Sequence, residues 1–471
     1  MTASTPSASR RAFLQRASAL SVAGAATPLA LSLAAIGEAA AQTATGQPDD
    51  YKALVCVFLQ GGNDYANTLV PYDSASHEIY RAMRSNIALP RDEALAATLL
   101  KPTMALPEGR QFAFAPGLAP LLPLFDAGRL AVLQNIGTLI EPVSKAQYSL
   151  GRGKVRLPPK LFSHNDQQSF WQASAAEGAT VGWGGRLGDL FAAGNGRATF
   201  SGVSVAGNAV FLSGKTAVQY QVTPTGSVTV NGIKAPLFGS VACQELLKDL
   251  MTTSSGANVF ETEYARIGRR AIEANDTLNA ALAQATPLAT AFPAGNPLAN
   301  QLRMVARMIS ARRPLGARRQ VFFVALGGFD THDSLARNHP VLMAQLGTAL
   351  AAFYRATQEL GLADRITTFT ASDFGRSLVS NNGGSDHGWG GVQWVLGDAV
   401  QGRAYVGRAP VLANDGPDDV GQGRLLPTLS VDQMTATLAR WFGVPAGDLP
   451  MMLPNLSNHA QQDLGFLASS A

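Results

Sequence analysis

Five short, nearly continuous apolar runs predict the buried strands of an α/β sheet. Such runs, rich in β-branched residues, are typical of parallel strands that are covered on both faces. Segments with apolar residues at helical spacing alternate with them, as in chains built from β-α-β units. The predicted strands are residues 53–59, 129–136, 320–326, 365–370 and 392–396. The predicted helices are residues 118–127, 257–285, 298–312, 336–360 and 431–442.

The pattern changes between residues 203 and 297. Apolar and polar positions alternate around Tyr220 and again around Val228, with Pro224 and Gly226 between them. This arrangement predicts a β-hairpin. We interpret residues 203–297 as an insertion or cap over the main sheet of a domain that spans residues 50–471.

The first 41 residues have the composition of an export signal. Ser9, Arg10 and Arg11 belong to a twin-arginine motif, which an alanine- and leucine-rich run and three alanines at 39–41 follow. The alternative is a retained transmembrane anchor, which Pro28 and the moderate hydrophobicity of the run disfavour. We therefore expect the twin-arginine translocase to export the chain to the periplasm or the medium, with no stable membrane span after signal removal.

Composition narrows the range of partners. Hydrophobic residues are 46% of the chain and charged residues 15%, which favours a large core over disorder. The formal charge of +4 falls to +2 without the first 41 residues, which hold three arginines and one glutamate. Basic residues are not clustered with aromatic ones, so nucleic acid is not an expected partner.

Two cysteines are too few for a disulfide framework, and whether Cys56 and Cys243 pair is left open.

Glycines and potential metal ligands follow three of the predicted strands. They are Asp64 after the first strand, Asp330 and His332 after residues 320–326, and Asp373, Asp386 and His387 after residues 365–370. The carboxyl ends of parallel strands share one edge of a sheet, so these side chains are expected to converge. Aspartate and imidazole suit zinc or manganese, and carboxylates also accept magnesium or calcium. The sequence predicts a site for one or two divalent ions.

A different interpretation of these residues is purely structural. Asp64 and Asp373 are also suited to cap helices, and Asp386 to form a turn. No spacing among the candidate ligands is as specific as that of a zinc finger. A metal site is favoured because glycines and potential ligands recur after several predicted strands.

Three further residues are candidates for catalysis. Ser163 and His164 stand at the start of a predicted helix, where the backbone favours anions. Ser163 would supply a nucleophile beside a metal, and Arg376 would bind the non-bridging oxygens of an ester. The alternative is that Ser163 caps the helix and His164 is structural.

Several of these motifs together resemble the secreted domain-of-unknown-function family 1501. They are the Ser-Arg-Arg signal, Phe-Leu-Gln-Gly-Gly-Asn-Asp at 58–64, Ser-His at 163–164, Gly-Gly-Phe-Asp-Thr-His at 327–332, Ser-Asp-Phe-Gly-Arg at 372–376, Asp-His at 386–387 and Leu-Ala-Arg-Trp-Phe-Gly at 438–443. That family is similar to the alkaline phosphatase and sulfatase superfamily. The resemblance implies a doubly wound α/β/α sandwich with a mostly parallel central sheet and a metal site at the strand ends.

The resemblance also implies roles for individual residues. Asp64 would be the ligand after the first strand and Ser163 would lie near the nucleophile position. Asp330 with His332, then Asp373, then His387 would complete the metal site. The chain departs from the superfamily pattern at Phe374, where a histidine usually follows the aspartate. It also lacks a Cys-x-Pro-x-Arg motif, which disfavours a formylglycine sulfatase.

Two hypotheses follow for function. The leading one is an exported, metal-dependent hydrolase that acts on a small anionic substrate, a phosphate or sulfate ester. The alternative is a non-catalytic periplasmic binding or assembly protein that keeps the fold, and the loss of an imidazole at Phe374 favours it.

Overall fold

A computed structural model describes residues 50–256 and 258–468, so the predicted export signal lies outside the described residues. In chain order the strands are β1 (Lys52–Leu59), β2 (Leu69–Pro71), β3 (Phe112–Phe114), β4 (Leu130–Gly137), β5 (Gly202–Ser204), β6 (Tyr220–Thr223), β7 (Gly226–Ser227), β8 (Arg319–Leu326), β9 (Ile366–Ser372), β10 (Arg376–Ser380), β11 (Ser385–His387), β12 (Gly391–Leu396), β13 (Ala404–Val406) and β14 (Leu429–Ser430).

The α-helices are α1 (Ser74–Met83), α2 (Glu93–Ala96), α3 (Leu122–Asp126), α4 (Lys145–Ser149), α5 (His164–Ala173), α6 (Trp183–Phe191), α7 (Val241–Thr252), α8 (Val259–Gln284), α9 (Pro297–Ser310), α10 (Leu335–Glu359), α11 (Val431–Phe442) and α12 (Leu449–Met452). The predicted helix at 118–127 is a 3-10 turn, Pro116–Leu121, followed by α3. No helix in the described part of the chain is long and apolar enough to cross a bilayer.

Ten strands form one central sheet in the order β13-β4-β12-β9-β1-β8-β5-β6-β7, with β14 also paired to β4. Its pairs are parallel except that β12 runs antiparallel to both neighbours and β7 runs antiparallel to β6. The mostly parallel sheet of the predicted α/β/α sandwich is therefore confirmed. It is consistent with the alkaline-phosphatase-like fold that the resemblance implies.

Successive side chains of β1 point to opposite faces of the sheet, so this strand contributes to two separate cores. Val55 and Val57 point into a core that α9 and α10 cover, whereas Leu54 and Phe58 point into a second core on the opposite face, covered by α6 and α11. Burying a side chain of this size contributes about 1.5–3 kcal/mol. A strand that is apolar at every position is stable only with helices on both faces, which is what the structure has.

Residues 203–297 contribute to the edge of the main sheet. β5, β6 and β7 extend the sheet beyond β8, and α7 and α8 follow them. The predicted hairpin is present in a shorter form, with Val222 opposite Ser227. These strands continue the sheet, so the cap interpretation applies only to the helices and stays a prediction.

The glycine-rich stretch after β9 is more ordered than the sequence suggested. It folds into the antiparallel pair β10–β11, which places Arg376 opposite His387. Cys56 and Cys243 do not form a disulfide. Cys56 is buried, Cys243 is exposed, and both are free thiols.

Candidate metal centre

Three neighbouring parallel strands end at the same level of the sheet. Leu59 at the end of β1 is paired with Leu326 of β8 on one side and with Ser372 of β9 on the other. The residues that follow each strand therefore start from one edge. The predicted convergence of the three strand ends is present.

Two glycines allow these loops to approach closely. A Cβ on Gly61 would lie 2.3 Å from the backbone nitrogen of Asp330, and a Cβ on Gly62 would lie 2.3 Å from the ring of Phe374. Both residues have positive φ, 113° and 87°, where glycine is favoured. The Gly-Gly pair after β1 is thus required by the loops of β8 and β9.

Three imidazoles and one carboxylate meet at this edge. The Nε2 atoms of His332 and His387 are 2.8 Å apart, and they lie 3.1 and 3.5 Å from Asp330 Oδ1. The Nε2 atom of His164 lies 3.5 Å from Asp330 Oδ2. Among the described residues, His164, Asp330 and His387 offer ligand atoms that are all within 4.8 Å of one another.

Each imidazole is held by its other nitrogen. Nδ1 of His164 donates to Asp373 Oδ2 at 2.6 Å, Nδ1 of His332 to Asp386 Oδ1 at 3.2 Å, and Nδ1 of His387 to the carbonyl of Phe162 at 2.7 Å. A histidine that binds a metal typically donates its second N–H to a carboxylate or a carbonyl in this way. With Nδ1 as the donor, the Nε2 lone pairs are left facing one another.

These residues fit a metal ion. Nε2 of His164 is buried and has no hydrogen-bond partner, an expensive arrangement for a polar atom unless something binds it. The Nε2 atoms of His332 and His387 are 2.8 Å apart, so with both Nδ1 atoms as donors a proton or a metal cation lies between them. Three imidazoles and a carboxylate are ligands suited to zinc and to other divalent transition metals.

A hydrogen bond and burial shift the pKa values of two of the imidazoles in opposite directions. The hydrogen bond that His164 donates to the Asp373 carboxylate raises the pKa of His164, against the opposing effect of burial. Burial lowers the pKa of His387, although the carbonyl of Phe162 acts in the opposite sense. Burial alone would raise the pKa of Asp330, but the hydrogen bond and the charge of Arg376 outweigh it and lower that pKa.

Phe374 occupies the position where the superfamily pattern has a histidine. Its ring is 1% exposed and lies 4.9 Å from the ring of His164 and 4.8 Å from that of His387, measured between centroids. In place of an imidazole, the apolar ring of Phe374 packs against the rings of His164 and His387.

Asp373 and Asp386, both predicted as metal ligands, lie one layer behind the imidazoles. Asp373 is fully buried and also accepts from Gly61 N and Gln168 Nε2. Asp386 also accepts from Asn381 Nδ2. In this arrangement the two carboxylates orient imidazoles, and their predicted role as direct ligands stays a prediction.

Asp64 lies apart from the imidazoles. Its Oδ2 pairs with Arg84 Nη2 at 2.6 Å and accepts from Ser385 Oγ, and its Oδ1 accepts from Asn67 N. The residue is 1% exposed. Both oxygens are thus engaged in a buried structural ion pair, and a ligand role for Asp64 stays a prediction.

Arg376 and Ser163, predicted as catalytic, have structural partners. Arg376 is fully buried and donates to Ser385 O, Gly61 O and Asp330 Oδ1. Ser163 stands just before α5, as predicted, and its hydroxyl donates to Asp166 Oδ2 at 3.1 Å. Their catalytic roles stay predictions. His164, predicted as catalytic, lies instead among the candidate ligands.

Sequence reasoning missed Arg424. Its guanidinium lies 4.6 Å from the centroid of the Phe162 ring, and its Nε donates to the backbone carbonyl of His387 at 3.0 Å. No carboxylate of the described residues pairs with it. No spacing marked Arg424 beforehand, because it lies 37 residues beyond His387 and only the folded chain brings the two together.

Similarity to solved structures is low. The PsFucS1 sulfatase from Pseudoalteromonas sp. is 9% identical with a TM-score of 0.33, over 94% of this chain and 76% of that one. BT33494S-sulf, a glycosaminoglycan-metabolism protein of Bacteroides thetaiotaomicron, is 11% identical with a TM-score of 0.34, over 86% and 76%. Ps i-CgsB, solved with k-i-k-neocarrahexaose, is 11% identical with a TM-score of 0.32, over 87% and 77%. Values this low support no argument about activity.

No curated protein matches the chain in sequence. One family does match, over residues 51–452. This match covers most of the chain and includes every residue of the candidate metal centre. The chain belongs to the DUF1501 family, whose description is "protein of unknown function".

Proposed function

We propose that this chain is an exported, metal-dependent hydrolase of phosphate or sulfate esters. One divalent ion would be held by Nε2 of His164, His332 and His387 and by Asp330. The observation that carries the proposal is that ligand atoms of His164, Asp330 and His387 lie within 4.8 Å of one another, with His332 Nε2 2.8 Å from His387 Nε2. The Nδ1 atom of each of the three rings donates outward. That pattern serves ligand binding, and a merely structural cluster has no need of it.

The bound ion would supply Lewis-acid polarisation of an ester oxygen and activation of water. The protein's own groups hold the ligands in place. Asp373, Asp386 and the Phe162 carbonyl fix the three rings, and Arg376 fixes Asp330. The side chains of Asp330 and His332 are 47% and 46% exposed, so the centre opens to solvent on one side and a substrate has access.

Arg424 is the cation best placed to bind an anionic substrate. Its position is fixed by the ring of Phe162 and by the carbonyl of His387. Arg376 has its donors occupied by backbone carbonyls and Asp330. A guanidinium with free donors can bind two oxygens of a phosphate or sulfate group at once. We therefore assign anion binding to Arg424.

The test is metal analysis combined with turnover. Purified protein is expected to contain about one divalent ion per chain and to hydrolyse at least one of a panel of aryl phosphate monoesters, phosphate diesters and sulfate esters. Removal of the metal by a chelator would abolish turnover, and addition of zinc or manganese would restore it. Absence of both metal and turnover would exclude the proposal.

The second candidate function is a non-catalytic binding protein with a structural metal. The observation in its favour is that the Ser163 hydroxyl donates to Asp166, and no other hydroxyl of the described residues hydrogen-bonds to the three imidazoles. Metal present in full amount, with no turnover of any ester in the panel, is the result that would favour this function over hydrolysis.

A further inference from the structure

An apolar stripe runs along α8 with the alternating spacing of three and four residues that is typical of coiled coils. Its C-terminal residues, Ala274, Leu278 and Ala281, are buried against the main body. Its N-terminal residues are exposed: Phe260 by 86%, Tyr264 by 61% and Ile267 by 47%, with Ala271 next along the stripe. We call residues 260, 264, 267 and 271 the α8 stripe.

The α8 stripe is not the face that α7 covers. Gly268 of α8 approaches Met251 of α7 so closely that a Cβ would lie 2.3 Å from its carbonyl oxygen. Ala265 and Ile272, about one turn to either side of Gly268, are buried. The helix therefore packs one face against α7 and presents a second apolar face to solvent. Large apolar side chains exposed side by side, as Phe260, Tyr264 and Ile267 are, are typical of a contact site.

A cavity of about 280 Å³ lies at the C-terminal end of the α8 stripe. Its apolar lining comes from Ile267, Ala271 and Ala274 of α8 and from Ala198, Ala217, Val218 and Tyr220, and its polar lining from Thr199, Thr216, Gln219 and Arg270. The small side chain of Ala271 leaves this space open. The apolar part of this lining offers a contact for an aromatic side chain.

The charged residues beside the α8 stripe can pair with the corresponding residues of a second copy of the chain. Glu263 and Arg270 flank it on the same side, seven residues apart in sequence, and Glu263 also pairs with Arg266 of its own helix at 2.7 Å. If two α8 helices pair antiparallel with Tyr264 of one beside Ile267 of the other, Phe260 lies opposite the partner's Ala271. In that register Glu263 also lies beside the partner's Arg270, twice by symmetry.

We propose that a second copy of this chain docks on the α8 stripe and forms an antiparallel, two-fold symmetric dimer. Phe260 of each copy fills the cavity beside Ala271 of the other. Mixed charge favours a second copy over a membrane surface, because membrane-binding helices are mainly basic on their polar face. Here Glu261 and Glu263 accompany Arg266 and Arg270. This proposal does not depend on the metal centre.

Sedimentation of the purified protein over a range of concentrations tests the proposal, and a dimer is expected. Phe260→Asp and Ile267→Asp each raise the dissociation constant by more than about tenfold, because they place a charge in the centre of the contact. Glu273→Arg, a charge reversal on α8 away from the stripe, leaves it unchanged. Circular dichroism shows whether each variant keeps its helices.

The register has its own test. Glu263→Arg alone weakens the dimer, since two arginines then face each other, and the double variant Glu263→Arg, Arg270→Glu restores it. A wild-type protein that stays monomeric overturns the proposal, as does a dimer that withstands Phe260→Asp and Ile267→Asp. Failure of the double variant to restore the dimer overturns the antiparallel register. A monomer that sediments with phosphatidylglycerol vesicles assigns the stripe to a membrane surface and also overturns it.

Discussion

The roles of individual histidines depend on which ring nitrogen is engaged, and the sequence does not contain that information. His332 and His387 could be predicted as ligands because they follow strands in glycine-rich loops. His164 was predicted as catalytic, since its place before a helix suggests an anion site. Only the hydrogen bond from its Nδ1 to Asp373, 209 residues away in sequence, identifies Nε2 as the free nitrogen.

Substitution of an imidazole ligand and substitution of the carboxylate that orients one are expected to lower the metal affinity of the protein by different amounts. His164→Ala and His387→Ala remove a ligand and are expected to leave the protein without stoichiometric metal. Asp373→Asn keeps the ring but weakens its orientation, which typically lowers affinity about 10–100-fold. Elemental analysis and competition with a chromophoric chelator measure both effects. His77→Ala is the control, because His77 bonds the carbonyl of Leu89 and lies outside the cluster. Full metal content in both folded alanine variants would contradict the assignment.

Arg424 is expected to act on substrate binding. Arg424→Gln removes the charge and raises KM for the turned-over ester by about tenfold or more, the cost of about 1.4 kcal/mol of binding. Bound metal is expected to be unchanged, since Arg424 contacts the backbone carbonyl of His387 and the ring of Phe162 but none of the ligand atoms. Arg408→Gln is the control, because Arg408 is paired with Asp418. An unchanged KM in Arg424→Gln would rule out the contact.

Gly62 is where two loops meet, so a methyl group there tests the contact between elements. Gly62→Ala places a Cβ 2.3 Å from the Phe374 ring at a φ of 87°. We expect a loss of about 2–5 kcal/mol in the free energy of unfolding, from left-handed backbone strain together with overpacking. Gly207→Ala is the matched control, because its φ is 81° and nothing lies within 4 Å of the added Cβ. Denaturant unfolding of both variants separates the two causes; equal losses would show that the contact with Phe374 contributes nothing.

At the scale of elements, the apolar runs were sufficient to predict the main strands and helices. β1, β4, β8, β9, α10 and α11 lie within a residue or two of the predictions. No strand is predicted between residues 376 and 387, because the glycines and polar residues there give no strand pattern. This stretch forms β10 and β11 because Arg376 donates to Ser385 O, and Arg84 donates to the carbonyls of Ser377 and Leu378.

The pair formed by Asp64 and Arg84 links α1 to this hairpin. Asp64→Asn leaves the buried guanidinium without its counter-ion and is expected to lower the free energy of unfolding by about 3–5 kcal/mol. The double variant Asp64→Asn, Arg84→Met is expected to lose less than the sum of the single losses. Metal content is expected to stay at the wild-type value. Loss of metal with stability retained would instead identify Asp64 as a ligand, as predicted from the sequence.

At the scale of the whole molecule, the sequence predicted a mostly parallel sheet with helices on both faces. It did not reveal that β12 enters the middle of the sheet in the opposite direction, between β9 and β4. The apolar pattern of a strand is the same in either direction when both faces are buried. Strand order and direction depend on contacts between residues far apart in sequence, which a local pattern does not encode.

Acid stability of the whole molecule is expected to depend on His339. Burial lowers the pKa of this imidazole from 6.5 to about 4. Between these values the unfolded chain binds a proton and the folded one does not, so stability falls as the pH decreases from 6.5 to 4. The shift corresponds to about 3 kcal/mol. Denaturant unfolding at several pH values is expected to show a shallower slope in His339→Gln across this window, and equal slopes would contradict the assignment.

The candidate ligands come from segments that are hundreds of residues apart, and this has a consequence for folding. His164 and His387, which share the candidate cluster, are 387 − 164 = 223 residues apart in sequence, and both cysteines are free. A metal that joins such segments acts as a reversible cross-link, and closing a loop of this length removes about 5 kcal/mol of chain entropy from the unfolded state. The ion would then stabilise this chain in the way that a disulfide stabilises many secreted proteins. Because the cross-link forms only between finished loops, the site is expected to assemble last, after the sheet.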